Sequence, residues 1–321
     1  MAPVESRSGH PVRPPSDTYR LTGSCAHAML ASAKPDLYDP GQMPGQAQEI
    51  SPFDPLERLD GALNCGILLL CDHARPALPP EYGNLGLTAD HFTRHIAYDI
   101  GAAELTYALA RRLRAPALMT TFSRLLIDPN RGADDPTLVM RISDRALIPG
   151  NARIDDAEIA RRRSLYWQVY RDAIADMSQK MRAAGRPPAL VSIHSFTPVW
   201  RGRPRPWHAG LLWDCDDRIA RPLLESLRAE SGLVIGDNEP YDGALRGDTM
   251  FDHGTLPGLA HVLIEVRQDL IATQPGVEEW ANRLAPLLVD CLAAPDIHDI
   301  RHYPSRAATP AQLAALREKM T

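Results

Sequence analysis

The stretch Leu68-Leu-Leu-Cys-Asp-His-Ala-Arg-Pro76 is an apolar run that stops abruptly at Asp72-His73. A second stretch, Leu190-Val-Ser-Ile-His-Ser-Phe196, does the same at His194. Short apolar runs of this kind are typical of strands that are covered on both faces. Each histidine is then either a polar residue satisfied by backbone groups at a strand end, or one of two ligands that converge on one metal ion at the edge of a sheet. The two runs alone leave both interpretations open.

Strand-like and helix-like segments alternate around these two runs. The apolar patterns predict strands at residues 65–71, 119–127, 189–193, 233–236 and 261–266. They predict helices at residues 90–114, 154–184, 216–231 and 276–293. Alternation of this kind favours an α/β fold, in which a single domain holds a central, mostly parallel or mixed sheet flanked by helices.

The first 60 residues differ in composition from the rest of the chain. They contain many Pro, Gly, Ser and Asp residues and only short apolar segments. We therefore predict a partly irregular N-terminal extension over residues 1–60 and a catalytic-type α/β domain over residues 61–321.

Charge and cysteine content limit the classes of function. The net charge of −5 argues against nucleic acid and anionic membrane surfaces as partners. No apolar run approaches the roughly 20 residues that span a bilayer, and the N-terminus lacks the apolar core of a signal peptide. The five cysteines form no CxxC pair, which is typical of reduced thiols and favours a cytoplasmic location.

The two histidines are candidates for a zinc site. Parallel α/β sheets collect their functional groups at the carboxyl ends of strands, where His73 and His194 lie. Catalytic zinc commonly takes three protein ligands, and neutral imidazole is a frequent one. Asp72 is a candidate to orient His73 from outside the ligand set.

The third ligand is less certain than the first two. Asp99 is the preferred candidate, because the loop after His73 could bring it close, but its position equally suits a helix N-cap. Glu81 and His95 are weaker substitutes.

Two further elements carry candidate functional side chains. In Phe122-Ser-Arg-Leu-Leu-Ile-Asp-Pro-Asn-Arg131, Arg124, Asn130 and Arg131 could hold an acidic substrate, although most such turns are simply solvated. Glu265 lies inside an apolar strand, where a carboxylate is costly unless it has a role. It suits a general base beside a metal-bound water, or equally a buried ion pair.

A serine-hydrolase interpretation fits poorly. Ser195 follows His194 directly, and neighbouring residues of a strand point to opposite faces. The sequence also contains no G-x-S-x-G element and no glycine-rich phosphate loop.

From about residue 64 to residue 292 the sequence resembles the N-formylglutamate amidohydrolase family. The resemblance rests on motifs in a fixed order: Cys71-Asp-His-Ala, His95-Ile-Ala-Tyr-Asp-Ile-Gly-Ala102, Ser123-Arg-Leu-Leu-Ile-Asp-Pro-Asn-Arg131, Ser192-Ile-His-Ser-Phe196, Asp237-Asn-Glu-Pro-Tyr241 and His261-Val-Leu-Ile-Glu-Val-Arg-Gln-Asp-Leu270. The family is similar in fold to zinc carboxypeptidases and aspartoacylases, a phosphorylase/hydrolase-like arrangement around a mixed sheet.

The resemblance implies roles for individual residues. It implies that Zn²⁺ is bound by His73, Asp99 and His194. It implies that Asn130 and Arg131 grip the substrate carboxylate. The implied role of Arg124 is to polarise the scissile carbonyl, and that of Glu265 is to act as general base.

The expected activity is therefore hydrolysis of the amide bond of an N-acyl, formyl-type amino acid, plausibly N-formylglutamate, in amino-acid degradation. The expected partner is a small acidic N-acyl amino acid. The alternatives are a non-catalytic module that binds zinc or an acidic ligand, and a hydrolase of another small amide or peptide. Departures from the family pattern, such as Tyr170-Arg171 and the Arg-, Trp- and Pro-rich segment 197–207, bear on the substrate more than on the reaction.

Overall fold

A computed structural model describes residues 53–320. Within them a seven-stranded sheet forms the centre of the domain. Its strands are β1 (Leu56–Leu59), β2 (Ile67–Cys71), β3 (Ala117–Thr120), β4 (Ala189–Phe196), β5 (Ala209–Leu212), β6 (Ile235–Asp237) and β7 (His261–Arg267). Most of the predicted N-terminal extension lies outside the described residues, and β1, at its end, pairs with β3.

The sheet is mixed, with a parallel centre. Its strand order is β1-β3-β2-β4-β7-β5-β6. The four central strands β3, β2, β4 and β7 run parallel to one another. At the edges, β1 is antiparallel to β3, and β5 is antiparallel to β7. The carboxyl ends of the central strands therefore meet at one edge, which confirms the predicted α/β class.

Helices cover both faces of the sheet. They are α1 (Ala102–Leu113), α2 (Asp156–Arg162), α3 (Gln168–Ala183), α4 (Ala220–Ala229), α5 (Gln274–Leu292) and α6 (Pro310–Met320). A π turn, Arg163–Trp167, joins α2 and α3 into one continuous helical segment, as the predicted helix over residues 154–184 requires. None of the helices in residues 53–320 has the length and apolarity needed to cross a membrane.

Shorter elements connect these strands and helices. They are the 3₁₀ turns Pro80–Tyr82, Ala89–Thr93, Pro149–Asn151 and Gln268–Leu270, the π turn Phe251–Thr255, and two small hairpins, Ile142–Ser143 with Ala146–Leu147 and Val199–Trp200 with Arg203–Pro204.

Alternation along the strands divides the core between the two faces. Ile67, Leu69 and Ile193 pack with α1, α4 and α5. Leu68, Leu70, Leu190 and Leu263 point the other way and pack with Tyr170 and Ile174 of α3. His194 and Glu265 stand an even number of residues from Leu190 and Leu263, so they lie on the α3 face. That face is therefore apolar in its middle and polar at the carboxyl edge.

Two predicted elements extend too far, and one strand of the sheet was not predicted. The strand predicted over residues 119–127 ends at Thr120, because the following residues turn back, with the Leu126 amide bonded to the Ser123 carbonyl. The helix predicted from residue 90 begins at Ala102, after Gly101 adopts a left-handed φ of 81°. The sequence analysis missed β5, whose four residues Ala-Gly-Leu-Leu are too few to show a period.

Candidate metal and catalytic site

The parallel pairing of β2 and β4 brings His73 and His194 together. His73 follows the last residue of β2, and His194 lies near the end of the neighbouring β4. The two ring centroids are 4.9 Å apart and the rings are nearly perpendicular, at 88°. The backbone amide of Asp99 donates to the His73 carbonyl at 2.9 Å, which fixes the loop that carries Asp99 beside the first histidine.

Asp99 completes a buried three-residue cluster. Its Oδ2 lies 2.8 Å from His194 Nδ1 and 3.3 Å from His73 Nδ1. One ligand atom from each of the three residues falls within 4.8 Å of the others. Two imidazoles and one carboxylate form a donor set that fits a divalent ion such as zinc.

Glu81 and His95, the alternatives for the third ligand, lie outside this cluster. The N-cap of α1 is Gly101, with no side-chain cap, so Asp99 does not cap this helix. Glu81 accepts a hydrogen bond from the Tyr166 hydroxyl at 2.8 Å and is not in the cluster. His95 lines the same cavity but packs edge-on against Trp200.

A second carboxylate stands behind each histidine. His73 Nε2 lies 2.7 Å from Asp128 Oδ1, and His194 Nε2 lies 2.7 Å from Asp72 Oδ2. Carboxylates in this position fix the ring orientation and leave the other nitrogen free to face a metal. Asp72 therefore orients His194 and not His73, contrary to the sequence analysis, which also missed Asp128.

Both outer carboxylates are held in turn. Asp72 accepts hydrogen bonds from the hydroxyls of Ser192 at 2.6 Å and Thr249 at 2.5 Å. Asp128 Oδ2 accepts from Arg124 Nε at 3.1 Å and from Arg124 Nη2 at 2.6 Å. The two imidazoles are thus fixed by a network that reaches four segments of the chain.

The electrostatics of this network favour a cation at its centre. Burial alone would raise the carboxyl pKa values, but the hydrogen bond from His194 holds the pKa of Asp72 at about 2. The charge of His73 holds the pKa of Asp99 far below its usual range, and the Arg124 charge does the same for the pKa of Asp128. When the two imidazoles give up a proton to serve as metal ligands, three buried carboxylates and one guanidinium leave two negative charges, which one divalent cation would balance.

Glu265 faces this network from β7, where it is in register with His194 of β4. It is 5 % exposed, and its Oε2 has no hydrogen-bond partner within residues 53–320. Burial raises its pKa to about 7, and the nearby Asp99 carboxylate adds to the effect. The ion-pair alternative for Glu265 is not found in the described part of the chain, where Arg267 pairs with Asp269. A carboxyl group with this pKa can accept and return a proton near neutral pH.

The candidate anion-binding residues lie beside the same cluster. Arg124 Nη1 is 3.7 Å from Asp99 Oδ1. Asn130 Oδ1 accepts from the Thr249 amide at 3.0 Å, which leaves the amide nitrogen of the side chain as a donor for a ligand. Arg131 Nη1 donates to the Asn130 carbonyl at 2.8 Å.

A cavity of about 220 Å³ joins these groups. The seven residues to which the family resemblance assigns roles all line it: His73, Asp99, Arg124, Asn130, Arg131, His194 and Glu265. Ser195 follows His194 on β4, and its hydroxyl donates to the Ile100 carbonyl at 2.8 Å. It therefore does not form a Ser-His pair with His194.

Comparisons with known proteins give one matching family model and several similar solved structures. A family model described as N-formylglutamate amidohydrolase matches residues 65–272. A gene product of Agrobacterium tumefaciens of known structure is similar to this chain, with 34% identity, 75% of this chain and 96% of that one covered, and a TM-score of 0.70. No curated protein matches the sequence.

A second solved structure, an N-formylglutamate amidohydrolase from Ralstonia eutropha, is 20% identical, with 74% of this chain and 97% of that one covered and a TM-score of 0.53. At that identity the likeness bears on the fold alone.

Proposed function

This chain belongs to the N-formylglutamate amidohydrolase family, and we propose that it hydrolyses the amide bond of an N-acyl, formyl-type amino acid with the help of a bound metal ion. One observation carries the proposal. The buried cluster of His73, Asp99 and His194 opens onto the same cavity as Glu265, a buried carboxyl group that has no ion-pair partner in the described residues.

His73, Asp99 and His194 would hold the metal, and their chemistry fits zinc. A zinc ion bound there would lower the pKa of a water molecule toward neutrality and draw electrons from the scissile carbonyl. Asp128 and Asp72 would keep the two rings oriented for binding, because each can accept the hydrogen bond of the outer nitrogen and leaves the inner nitrogen to face the metal.

Glu265 is the proposed general base and acid. It would accept a proton from the attacking water as the oxygen–carbon bond forms. It would then donate that proton to the amide nitrogen as the carbon–nitrogen bond breaks, which releases the acyl acid and the amino acid. A pKa of about 7 places both transfers within reach at neutral pH.

Arg124 is the proposed oxyanion-stabilising group. Asp128 fixes its Nε and Nη2, so only Nη1 is left to reach the cavity beside Asp99. A preorganised cation of this kind stabilises the negative charge that develops on the carbonyl oxygen. Asn130 and Arg131 would bind the α-carboxylate of the substrate through the Asn130 amide group and the remaining guanidinium nitrogens.

The test is direct. We expect the purified protein to contain about one divalent metal ion per chain and to release formate from N-formyl amino acids, since the donor set and the base lie in one cavity. A chelator should stop the release, and added Zn²⁺ should restore it. Metal-loaded protein that binds acidic ligands but releases no formate or amine from N-formylglutamate or other N-acyl amino acids would favour the non-catalytic alternative.

A further inference from the structure

We propose that the cavity accepts one carboxylate only, and that it selects N-acyl amino acids with an uncharged, largely apolar side chain over those with an acidic one. The inference rests on the proposed function and specifies its substrate class. It follows from where the charges of the cavity wall lie.

The lining residues offer one guanidinium for a ligand carboxylate. Arg124 is committed to Asp128 through two nitrogens and points its third toward Asp99. Burial lowers the pKa of His95, so this imidazole is neutral at the pH of about 8 at which the substrates are compared below. Arg131, assisted by Asn130, is the lining guanidinium that remains. A substrate with two carboxylates would therefore bury one of them without a cationic partner.

Other cations near the cavity have partners elsewhere. Arg205 donates to the Thr197 carbonyl at 3.4 Å and to the Tyr241 hydroxyl at 3.1 Å, and it does not line the cavity. Arg171 is ion-paired with Asp252 behind the wall. Neither guanidinium is among the residues that line the cavity.

The wall formed by β5, β7 and the segment after Tyr241 carries several apolar side chains. Leu212 and Leu263 are register partners across β5 and β7, and Met250 packs with them in one buried cluster. Leu245 lines the cavity next to them. Such a surface favours an apolar side chain, because transfer of CH₂ groups from water to an apolar surface is favourable.

Asp248 adds a negative group to this wall. The residue is 4 % exposed and lines the cavity, and its Oδ1 accepts only the Phe251 amide, at 2.7 Å. Within the described residues it has no ion pair. The next residue, Thr249, donates its amide to Asn130, so Asp248 lies directly beside the proposed carboxylate clamp. Burial raises the pKa of Asp248 to about 7, so at about pH 8 this residue is ionised and a second carboxylate of the substrate would meet a like charge here.

Three N-formyl amino acids of similar side-chain length test the inference: methionine, glutamine and glutamate. At about pH 8, kcat/KM for N-formylmethionine should exceed that for N-formylglutamate by about tenfold or more, and N-formylglutamine should also exceed it. If N-formylglutamate is the best of the three, the inference is wrong while the proposed function stands.

Binding separates the two proposals if turnover fails. Titration calorimetry with the Glu265→Gln variant should give a dissociation constant for N-formylmethionine about tenfold lower than that for N-formylglutamate. That preference without any turnover in the wild type would contradict the proposed function and leave the selectivity in place. Equal dissociation constants, or a preference for N-formylglutamate, would overturn the selectivity.

Two variants assign the selectivity to the wall. Asp248→Asn should reduce the preference for methionine over glutamate about threefold or more, because it removes the like charge. Asp242→Asn is the matched control: this carboxylate lines the same cavity, but Arg306 already neutralises it with bonds of 2.8 and 2.9 Å. It should leave the preference unchanged.

Leu245→Arg supplies the missing cation and should raise kcat/KM for N-formylglutamate, whereas Leu245→Gln should not. Unchanged preference in both Asp248→Asn and Leu245→Arg would refute the assignment.

Discussion

Buried carboxyl groups occur in two regions of this protein, and the two regions treat them differently. We call Asp72, Asp99 and Asp128 the floor: Asp99 lines the cavity, and the other two lie behind the histidines. Each contacts an imidazole and accepts further hydrogen bonds. Along the wall, Glu265 and Asp248 are equally buried but form no ion pair within residues 53–320. The physical environment therefore separates acids of the same kind into two groups.

The difference appears in the pKa values. Imidazole contacts hold the pKa of Asp72 at about 2, so the floor stays ionised and offers negative charge to a cation. Burial raises the pKa of Glu265 to about 7, and it also raises the pKa of Asp248 to about 7. The carboxylates that contact imidazoles thus build the proposed metal site. Glu265 and Asp248, which form no ion pair within residues 53–320, serve proton transfer and discrimination between substrates in our proposals. Three predictions test this division.

The largest effect is expected for Glu265→Gln. Glutamine has the same shape but cannot accept and return a proton, so turnover should fall by about 10³-fold. Metal content should stay at the wild-type level, because Glu265 is not in the ligand cluster. The measurements are formate release and metal analysis of the same preparation.

Glu81→Gln is the matched control, since Glu81 bonds to Tyr166 and does not line the cavity. It should keep both turnover and metal. Full activity of Glu265→Gln would show that Glu265 is not the general base. Loss of metal from this variant would show that Glu265 supports the metal site.

A smaller effect is expected for Asp128→Asn, which acts on the floor. The amide can still accept a hydrogen bond from His73, but it loses the negative charge that supports that ring and the ion pair with Arg124. Metal affinity should fall by about 10–100-fold, the usual effect of removing a carboxylate behind a ligating histidine. Competition with a chromophoric chelator measures this, and affinity within twofold of the wild type would show that Asp128 does not support the site.

The floor also shows what the sequence could predict. Both histidines were predicted because each ends an apolar run, and the parallel sheet brings such ends together. Asp128 was missed because its contact with His73 joins residues 55 positions apart, and Asp-Pro-Asn has the local pattern of a turn. Asp72 was assigned to the wrong histidine because chain neighbours in extended backbone point to opposite sides, so its partner lies on the next strand.

The wall was less predictable than the floor. Glu265 was recognised because a charge inside an apolar strand requires a reason. Asp248 sits in the polar segment Arg246-Gly-Asp-Thr249, where nothing local indicates burial. Its environment depends on distant residues such as Asn130 and on β5, which was itself missed. Local patterns identify residues that conflict with their own element, but not those buried by packing across the chain.

The last effect concerns stability and pH, and it tests Asp248 without any substrate. Burial raises its folded pKa to about 7, above the value of 3.8 expected in the unfolded chain. Between these values the native protein keeps a proton that the unfolded chain has lost, so wild-type stability should decline as pH rises from about 4 to about 7. Asp248→Asn removes this loss. Above about pH 7 the variant should be more stable than the wild type by on the order of 4 kcal/mol, a gain that shrinks toward about pH 4.

Thermal unfolding of the wild type and the variant, both treated with a chelator to remove metal, measures this difference in stability across the pH range. It corresponds to a shift of several degrees in Tm. Asp242→Asn again serves as the control, because Arg306 lowers the pKa of Asp242. Because folding lowers the pKa of Asp242, its ionised form stabilises the native protein at neutral pH. This contribution is lost as pH falls below about 4. Asp242→Asn should therefore be slightly less stable than the wild type at neutral pH, and only slightly, since the pair is largely exposed. If the two variants shift Tm in the same direction at about pH 8, the distinction between paired and unpaired carboxyl groups does not hold for the cavity wall.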